Sequence, residues 1–398
     1  MKIKDYDDKG LFEPKKKKSK VRHVESHIAF PGENNELKGE FGQAEDLMDR
    51  WGLPTQEATL SRKRRKRFLR FAIAAVAIVL IVLSVFYVLP AVLPGLFKGT
   101  NIELFVEKKI DLIYDDSYRV VNYYCADLME EPEPSSNRLT QVLYNEAVVL
   151  VDGTEVNGYV KIRTSDGIEG YVKSARLTTR TDSVEPDLHE YKLVVSDTYK
   201  NVMTHASNGT LITKVMMNTI LYADVKRDGV YQVALPNGDK GWIGSSGVIE
   251  LGAREDIHKV SCRYFVSSVL SHSNVTYINN GLTQKGMSVN GIVYVCSEVN
   301  GIPAPRTIKE QANMGSEVEL KYDVVTGDLL LDSIEPGDLV FLKSPYSDSN
   351  EIYEMAVCTD TGVLLMVSKA KTTIRLRSFK ATDDIASRIV SVRRIFDE

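Results

Sequence analysis

The chain is 398 residues long, with 50 Lys and Arg against 54 Asp and Glu, 43% hydrophobic residues and four cysteines. This length holds more than one domain, and so few cysteines exclude a disulfide scaffold. The formal net charge of −4 hides two unlike parts: residues 1–70 carry 18 Lys and Arg against 12 Asp and Glu, whereas the rest carries 32 against 42.

Residues 1–67 are polar, with Lys15-Lys16-Lys17-Lys18 and scattered Gly, Pro and Asn. Such a segment buries no core and reads as a disordered, basic cytoplasmic tail. A charge run without interleaved aromatics carries no nucleic-acid signal, so no nucleic-acid partner is expected. From Phe71 to Leu89 the chain runs nineteen residues without a formal charge, dominated by Ala, Ile, Val and Leu. As a helix this run spans about 28 Å, the thickness of a bilayer core. It predicts a transmembrane signal anchor over 68–97. Arg62-Lys63-Arg64-Arg65-Lys66-Arg67 stands before it, which sets the N-terminus cytoplasmic and the remainder extracytoplasmic in a single-pass membrane protein. The apolar run begins too late and is too long for a cleaved signal peptide. The basic juxtamembrane segment is expected to attract anionic lipid, at about 1 kcal/mol per charge.

Beyond the anchor the sequence repeats itself. Gly158-Tyr159-Val160 and Gly229-Val230-Tyr231 stand 71 residues apart, and so do Gly167 and Gly238, and Gly170-Tyr171-Val172 and Gly241-Trp242-Ile243. Three landmarks at one offset mark a tandem repeat. Alternating apolar positions and turns such as Asp166-Gly167 predict small all-β units over 110–180 and 188–252. Their glycine and aromatic spacing is similar to that of bacterial SH3-type domains, which implies two SH3-like barrels and peptidoglycan as a ligand. Tyr171 and Trp242 are the aromatic binding candidates, with Tyr123, Tyr124 and Tyr159 weaker ones. The more common role of such an aromatic is core packing with its polar tip satisfied.

In the last third, Gly286-Met287-Ser288-Val289-Asn290-Gly291-Ile292-Val293 resembles the Gly-x-Asp-Cys-Ser-Gly-x-Val signature of the NlpC-type cysteine peptidases of the cell wall. Pro305-Arg306-Thr307-Ile308-Lys309-Glu310-Gln311 and Ile334-Glu335-Pro336-Gly337-Asp338-Leu339-Val340-Phe341 are similar to two later elements of that family. The resemblance implies an α+β, papain-like NlpC-type domain over 256–398. It places Val289 at the nucleophile position, Glu354 at the general base and Met366 near the orienting group. A valine has no lone pair with which to attack a carbonyl. On that basis the domain is expected to be no enzyme but a pseudoenzyme without cofactor or metal, binding peptidoglycan or an extracytoplasmic protein partner. Ser288 stands where the family has an aspartate before the nucleophile, and Tyr277 where it has a tyrosine before a glycine turn; both are binding candidates. Cys296 and Cys358 read as small buried hydrophobes. Two alternatives stay open: a hydrolase of unusual mechanism built on Ser288 and Glu354, and a scaffold joining a cytoplasmic assembly to the wall.

Overall fold

The structure is a computed structural model that describes residues 71, 73–82, 112–346 and 349–396. The tail reading of 1–67 lies outside the described residues. Residues 73–82 are helical, and Ile73, Val76, Ile78 and Ile81 are exposed on that helix. The rest of the anchor expected over 68–97 lies outside the described residues, and no described helix is long and apolar enough to cross a membrane.

Residues 108–398 form one compact unit. Its first part is a seven-stranded antiparallel sheet of β1 (Tyr118–Val121), β2 (Cys125–Met129), β3 (Arg138–Leu143), β4 (Ala147–Val156), β5 (Tyr159–Arg163), β6 (Glu169–Lys173) and β7 (Leu177–Thr178). The second part repeats it with β8 (Tyr191–Val195), β9 (Tyr199–Met203), β10 (Leu211–Met216), β11 (Ile220–Arg227), β12 (Val230–Ala234), β13 (Lys240–Gly244) and β14 (Val248–Gly252). Strand order is β3-β2-β6-β5-β4-β1-β7 in one and β10-β9-β13-β12-β11-β8-β14 in the other, the same order under a shift of seven. The turn Asn157-Gly158 before β5 and the turn Asp228-Gly229 before β12 both place two successive residues at positive φ. That is the backbone a two-residue hairpin needs to match the twist of its strands.

The terminal part holds α1 (Cys262–Leu270), the short hairpin β15 (Leu282–Thr283) and β16 (Gly286–Met287), α2 (Val289–Val299), α3 (Ile308–Gln311) and β17 (Ser316–Glu317). There follow β18 (Leu339–Lys343), β19 (Ile352–Asp360), β20 (Val363–Val367), β21 (Ile374–Ser378), α4 (Asp384–Arg388) and β22 (Ile389–Arg394). An antiparallel sheet in the order β17-β22-β18-β19-β20-β21 backs the helices. Every residue of α2 except Glu298 is buried, so this helix is a core element and not an amphipathic one. Its apolar cluster takes in Phe265 and Val269 of α1, Met355, Val357 and Leu365 of the sheet, and Val194, Met216 and Met217 of the second β module. A separate cluster, with Ala356, Cys358, Met366 and Ile385, covers the other side of the sheet.

Candidate functional site

The head of α2 is closed by its own sequence. Ser288 is the N-cap, and its hydroxyl accepts from the Gly291 N–H at 3.2 Å and donates to the Gly281 carbonyl at 3.4 Å. A capping serine satisfies an N–H that the helix itself leaves unpaired. Ser288 is therefore a buried structural group with its hydrogen bonds spent inside the fold. Gly291 is required here, since a Cβ would stand 2.1 Å from the Gly281 carbonyl oxygen. Val289 is buried in the α2 cluster at 3% exposure. Tyr277 is half-buried beside this turn, with a parallel bridge to Met287, and burial raises its phenol pKa.

The other two aligned positions stand elsewhere. Side chains of a strand alternate between faces, and on β19 Met355 and Val357 join the cluster of Val289, while Ala356 and Cys358 join the opposite one. Glu354, paired with Leu342 of β18, shares the side of Ala356 and ion-pairs with Arg388 at the end of α4. Met366 is buried in that second cluster. Glu354 and Met366 both line a pocket of about 200 Å³ that does not include Val289. Val289 and Glu354 are thus on opposite faces of the sheet.

The groove that adjoins the α2 turn lies between the first β module and the terminal domain. It has a volume of about 340 Å³ and is lined by Tyr123, Tyr124, Tyr159, Lys173, Arg176 and Lys285, with Gly286 at its edge and Arg138 paired to Asp127. Lys285 Nζ sits 3.8 Å from the Tyr124 ring centre and Arg176 lies 3.5 Å over Tyr123. Cations over rings in this way are attracted by the ring quadrupole. Lys173, Arg176 and Lys285 have no carboxylate partner among the described residues, so the groove carries uncompensated positive charge. Tyr171 and Trp242 line none of the described pockets; they pair across the strands with Lys161 and Gln232. The sequence signal that pointed at them, their shared offset, marks a structural position. The tyrosines that do line the groove were the weaker candidates, and Arg176 and Lys285 gave no signal.

One buried residue joins the first β module to the terminal domain. Arg306, 2% exposed, donates to the Gln141 carbonyl at 2.9 Å, to Glu146 Oε1 at 2.6 Å and to the Tyr294 hydroxyl at 2.8 Å. Asp166 stands 3.5 Å from its Nε, close enough for charge pairing but beyond hydrogen-bond reach. Burial opposes the charge on Arg306, but Glu146, Tyr294 and Asp166 outweigh it and raise the guanidinium pKa. Gln141, Glu146 and Asp166 belong to the first β module, Tyr294 and Arg306 to the terminal domain. At the rim, Asn280 Nδ2 donates to the Arg138 carbonyl at 2.9 Å, and Gln141 Oε1 accepts from the Leu282 N–H at 2.8 Å.

No family model matches the chain. A γ-D-glutamyl-L-lysine dipeptidyl-peptidase of Bacillus subtilis is 23% identical over 269 residues, covering 65% of this chain and 81% of the relative. A protein of the same name from Bacillus cereus is 21% identical over 249 residues, covering 61% of this chain and 71% of the relative. The crystal structure of an NlpC/P60 family protein from Bacillus cereus superposes with a TM-score of 0.59 at 18% identity, over 70% of this chain and 99% of that one. These likenesses support the NlpC/P60 cell-wall peptidase-like domain read from the motifs. The reading as a non-enzyme is corrected by the same comparisons: both relatives are named as peptidases. The physical flaw in that reading is visible in the sheet. Val289 and Glu354 do not face a common point, so their identities do not define one vacant catalytic centre.

Proposed function

Starting from a terminal domain of the NlpC/P60 cell-wall peptidase type, we propose that the chain is a membrane-anchored protein of the cell wall. Its compact unit takes an acidic cell-wall peptide into the groove between the first β module and the terminal domain. The observation that carries this reading is the trio Lys173, Arg176 and Lys285, unpaired and set over tyrosine rings beside the α2 turn. A γ-D-glutamyl peptide offers carboxylates, and charge-assisted hydrogen bonds to carboxylates are the strong kind. The names of the relatives supply the substrate class, γ-D-glutamyl peptides. The two β modules, read as SH3-type barrels, hold the groove and add wall contacts. Support for the anchor comes from the nineteen uncharged residues 71–89 and from the exposure of Ile73, Val76, Ile78 and Ile81 on the described helix. On this reading the basic segment 62–67 lies against anionic lipid on the cytoplasmic side, and residues 108–398 lie outside.

Calorimetry of the full chain in detergent with a synthetic γ-D-glutamyl-containing tripeptide tests the groove, and mass spectrometry of the same mixture reads turnover. Saturable binding that Lys285→Ala and Arg176→Ala each weaken supports the proposal. Binding that both variants leave unchanged removes it. Turnover would draw on groups other than the side chain of Val289, which has neither proton nor lone pair to give.

A further inference from the structure

A second cluster of reactive side chains lies where the second β module meets α1 and α2. Met217 sits in the turn after β10, His272 follows α1 and Cys296 is on α2. All three are buried, at 3%, 1% and 0% exposure. Met217 Sδ is 3.4 Å from His272 Nε2 and 3.9 Å from Cys296 Sγ. Among the described residues no three of His, Cys, Asp and Glu come together as a metal set; here a methionine thioether completes one.

We propose that Met217, His272 and Cys296 form a site for a soft monovalent metal ion, Cu(I), that pins the second β module to the terminal domain. Metal–sulfur and metal–nitrogen bonds of about 2.3 and 2.0 Å in a three-coordinate site separate the donors by about 3.5–4 Å. The two observed separations match that spacing with little movement. Thiolate, thioether and imidazole together are the donor set that favours copper among first-row metals. Charge selects the oxidation state. Cu(I) with one thiolate is neutral and can be buried in an apolar cluster, whereas Zn(II) or Cu(II) with the same ligands keeps an uncompensated charge there. Met217 and Cys296 belong to the apolar cluster of Phe265, Val293 and Val299, and burial alone, with no charged neighbour, acts on His272 and Cys296 among the described residues.

Binding replaces the proton of the Cys296 thiol by the ion and releases that proton to solvent; no electron is transferred. Without the ion, burial raises the thiol pKa and lowers that of His272 to about 4, so both groups wait in neutral form. Gln284 Nε2 lies 2.8 Å from His272 Nδ1. To free Nε2 for a metal the ring proton must move to Nδ1, and turning the Gln284 amide over lets its oxygen accept that proton. This is the outer contact that fixes the tautomer of a ligating histidine.

The test is anaerobic titration of the full chain in detergent with Cu(I) against the chelator bathocuproine disulfonate, with X-ray absorption on the loaded protein. One ion per chain is expected, with two sulfurs and one nitrogen around it. Met217→Leu, which conserves volume, and Cys296→Ser should each weaken binding at least tenfold, while Cys262→Ser, at the half-exposed cysteine, leaves it unchanged. The proposal is overturned by wild-type affinity in Met217→Leu, by binding that depends on Cys262 instead, or by no uptake either in the folded chain or on refolding with Cu(I) present.

Discussion

The two β modules have one strand order and opposite relations to the domain they support. The first meets the terminal domain mainly through polar groups, with Leu143 as its buried member of the α2 cluster: Gln141, Glu146 and Asp166 converge on Arg306, and Tyr123, Tyr124, Lys173 and Arg176 line the groove. The second meets it mainly through the apolar Val194, Met216 and Met217, with one ion pair, Lys192 to Asp256, beside them. At the 71-residue offset that relates β6 to β13, Lys173 and Arg176 of the first module are replaced by Gly244 and Gly247 of the second. Gly247 has a positive φ, and a Cβ there would stand 1.9 Å from Asp197 Oδ2. The second copy thus lacks both side chains, and at Gly247 it also lacks the room for one. The two copies share their turns and strand order and differ in the surfaces they offer.

The largest expected effect strikes the polar contact. Arg306→Ala leaves Glu146 and Asp166 facing each other without their cation, and breaking a buried pair in this way costs about 3–5 kcal/mol. Urea unfolding of the full chain in detergent reads it as a lower midpoint. Arg306→Lys should restore only part of the loss, because an ammonium cannot fill the three directions of the planar fork at once. Recovery to wild type by lysine would show that charge alone holds the first module.

Next in size is the apolar contact. Met216→Ala removes a buried side chain and should cost about 2–4 kcal/mol, whereas Met216→Leu, which keeps volume, should cost less than about 1.5 kcal/mol. The comparison sharpens if conservative changes are tolerated at Met216 and not at Arg306. It breaks if both sites respond alike.

The groove comes third. Arg176→Ala or Lys285→Ala should weaken an acidic γ-D-glutamyl peptide about tenfold, the size of one hydrogen bond to a charged group, and leave the unfolding midpoint in place. Lys214→Ala on the second module, where the ammonium lies over Tyr199 far along the chain, should change neither. Calorimetry on the three variants separates the modules by function.

Much of the architecture is legible in the sequence, and most of the groove is not. The positive-φ turns, the 71-residue offset and the Pro-Gly-Asp entry to β18 are visible in the residues themselves, and the structure gives each a physical reason. At that entry a Cβ on Gly337 would meet the Cys262 sulfur at 2.3 Å, and Asp338 forks to Arg394 at 2.9 and 2.8 Å. Two things are not local. A register irregularity between Leu342 and Lys343 skips Tyr353, so Ile352 and Met355 face α2 while Glu354 faces away. No feature of the stretch announces a bulge. Arg306 and Glu146 are 160 positions apart, and Lys285 meets Tyr124 across a similar distance; such pairs exist only after the domains have docked.

The smallest effect belongs to Glu298, the one residue of α2 that is half-buried and not fully buried. Burial, first of all, raises its pKa, with Asp166 and Glu146 adding to the rise and the Ala304 N–H and Arg306 opposing it. A carboxyl whose folded pKa exceeds its unfolded value binds its proton more tightly when folded. Its contribution is therefore full below the unfolded pKa and is lost as pH rises through the folded one. Glu298→Gln keeps an oxygen to accept from the Ala304 N–H, now at 2.8 Å, and removes the charge that the docked first module disfavours. Stability should rise slightly at pH 7 and stay unchanged at pH 4. Thermal unfolding at the two pH values reads the difference. A gain that persists in Arg306→Ala, where the docking contact is lost, would place the strain on Glu298 within the terminal domain itself and not at its contact with the first module.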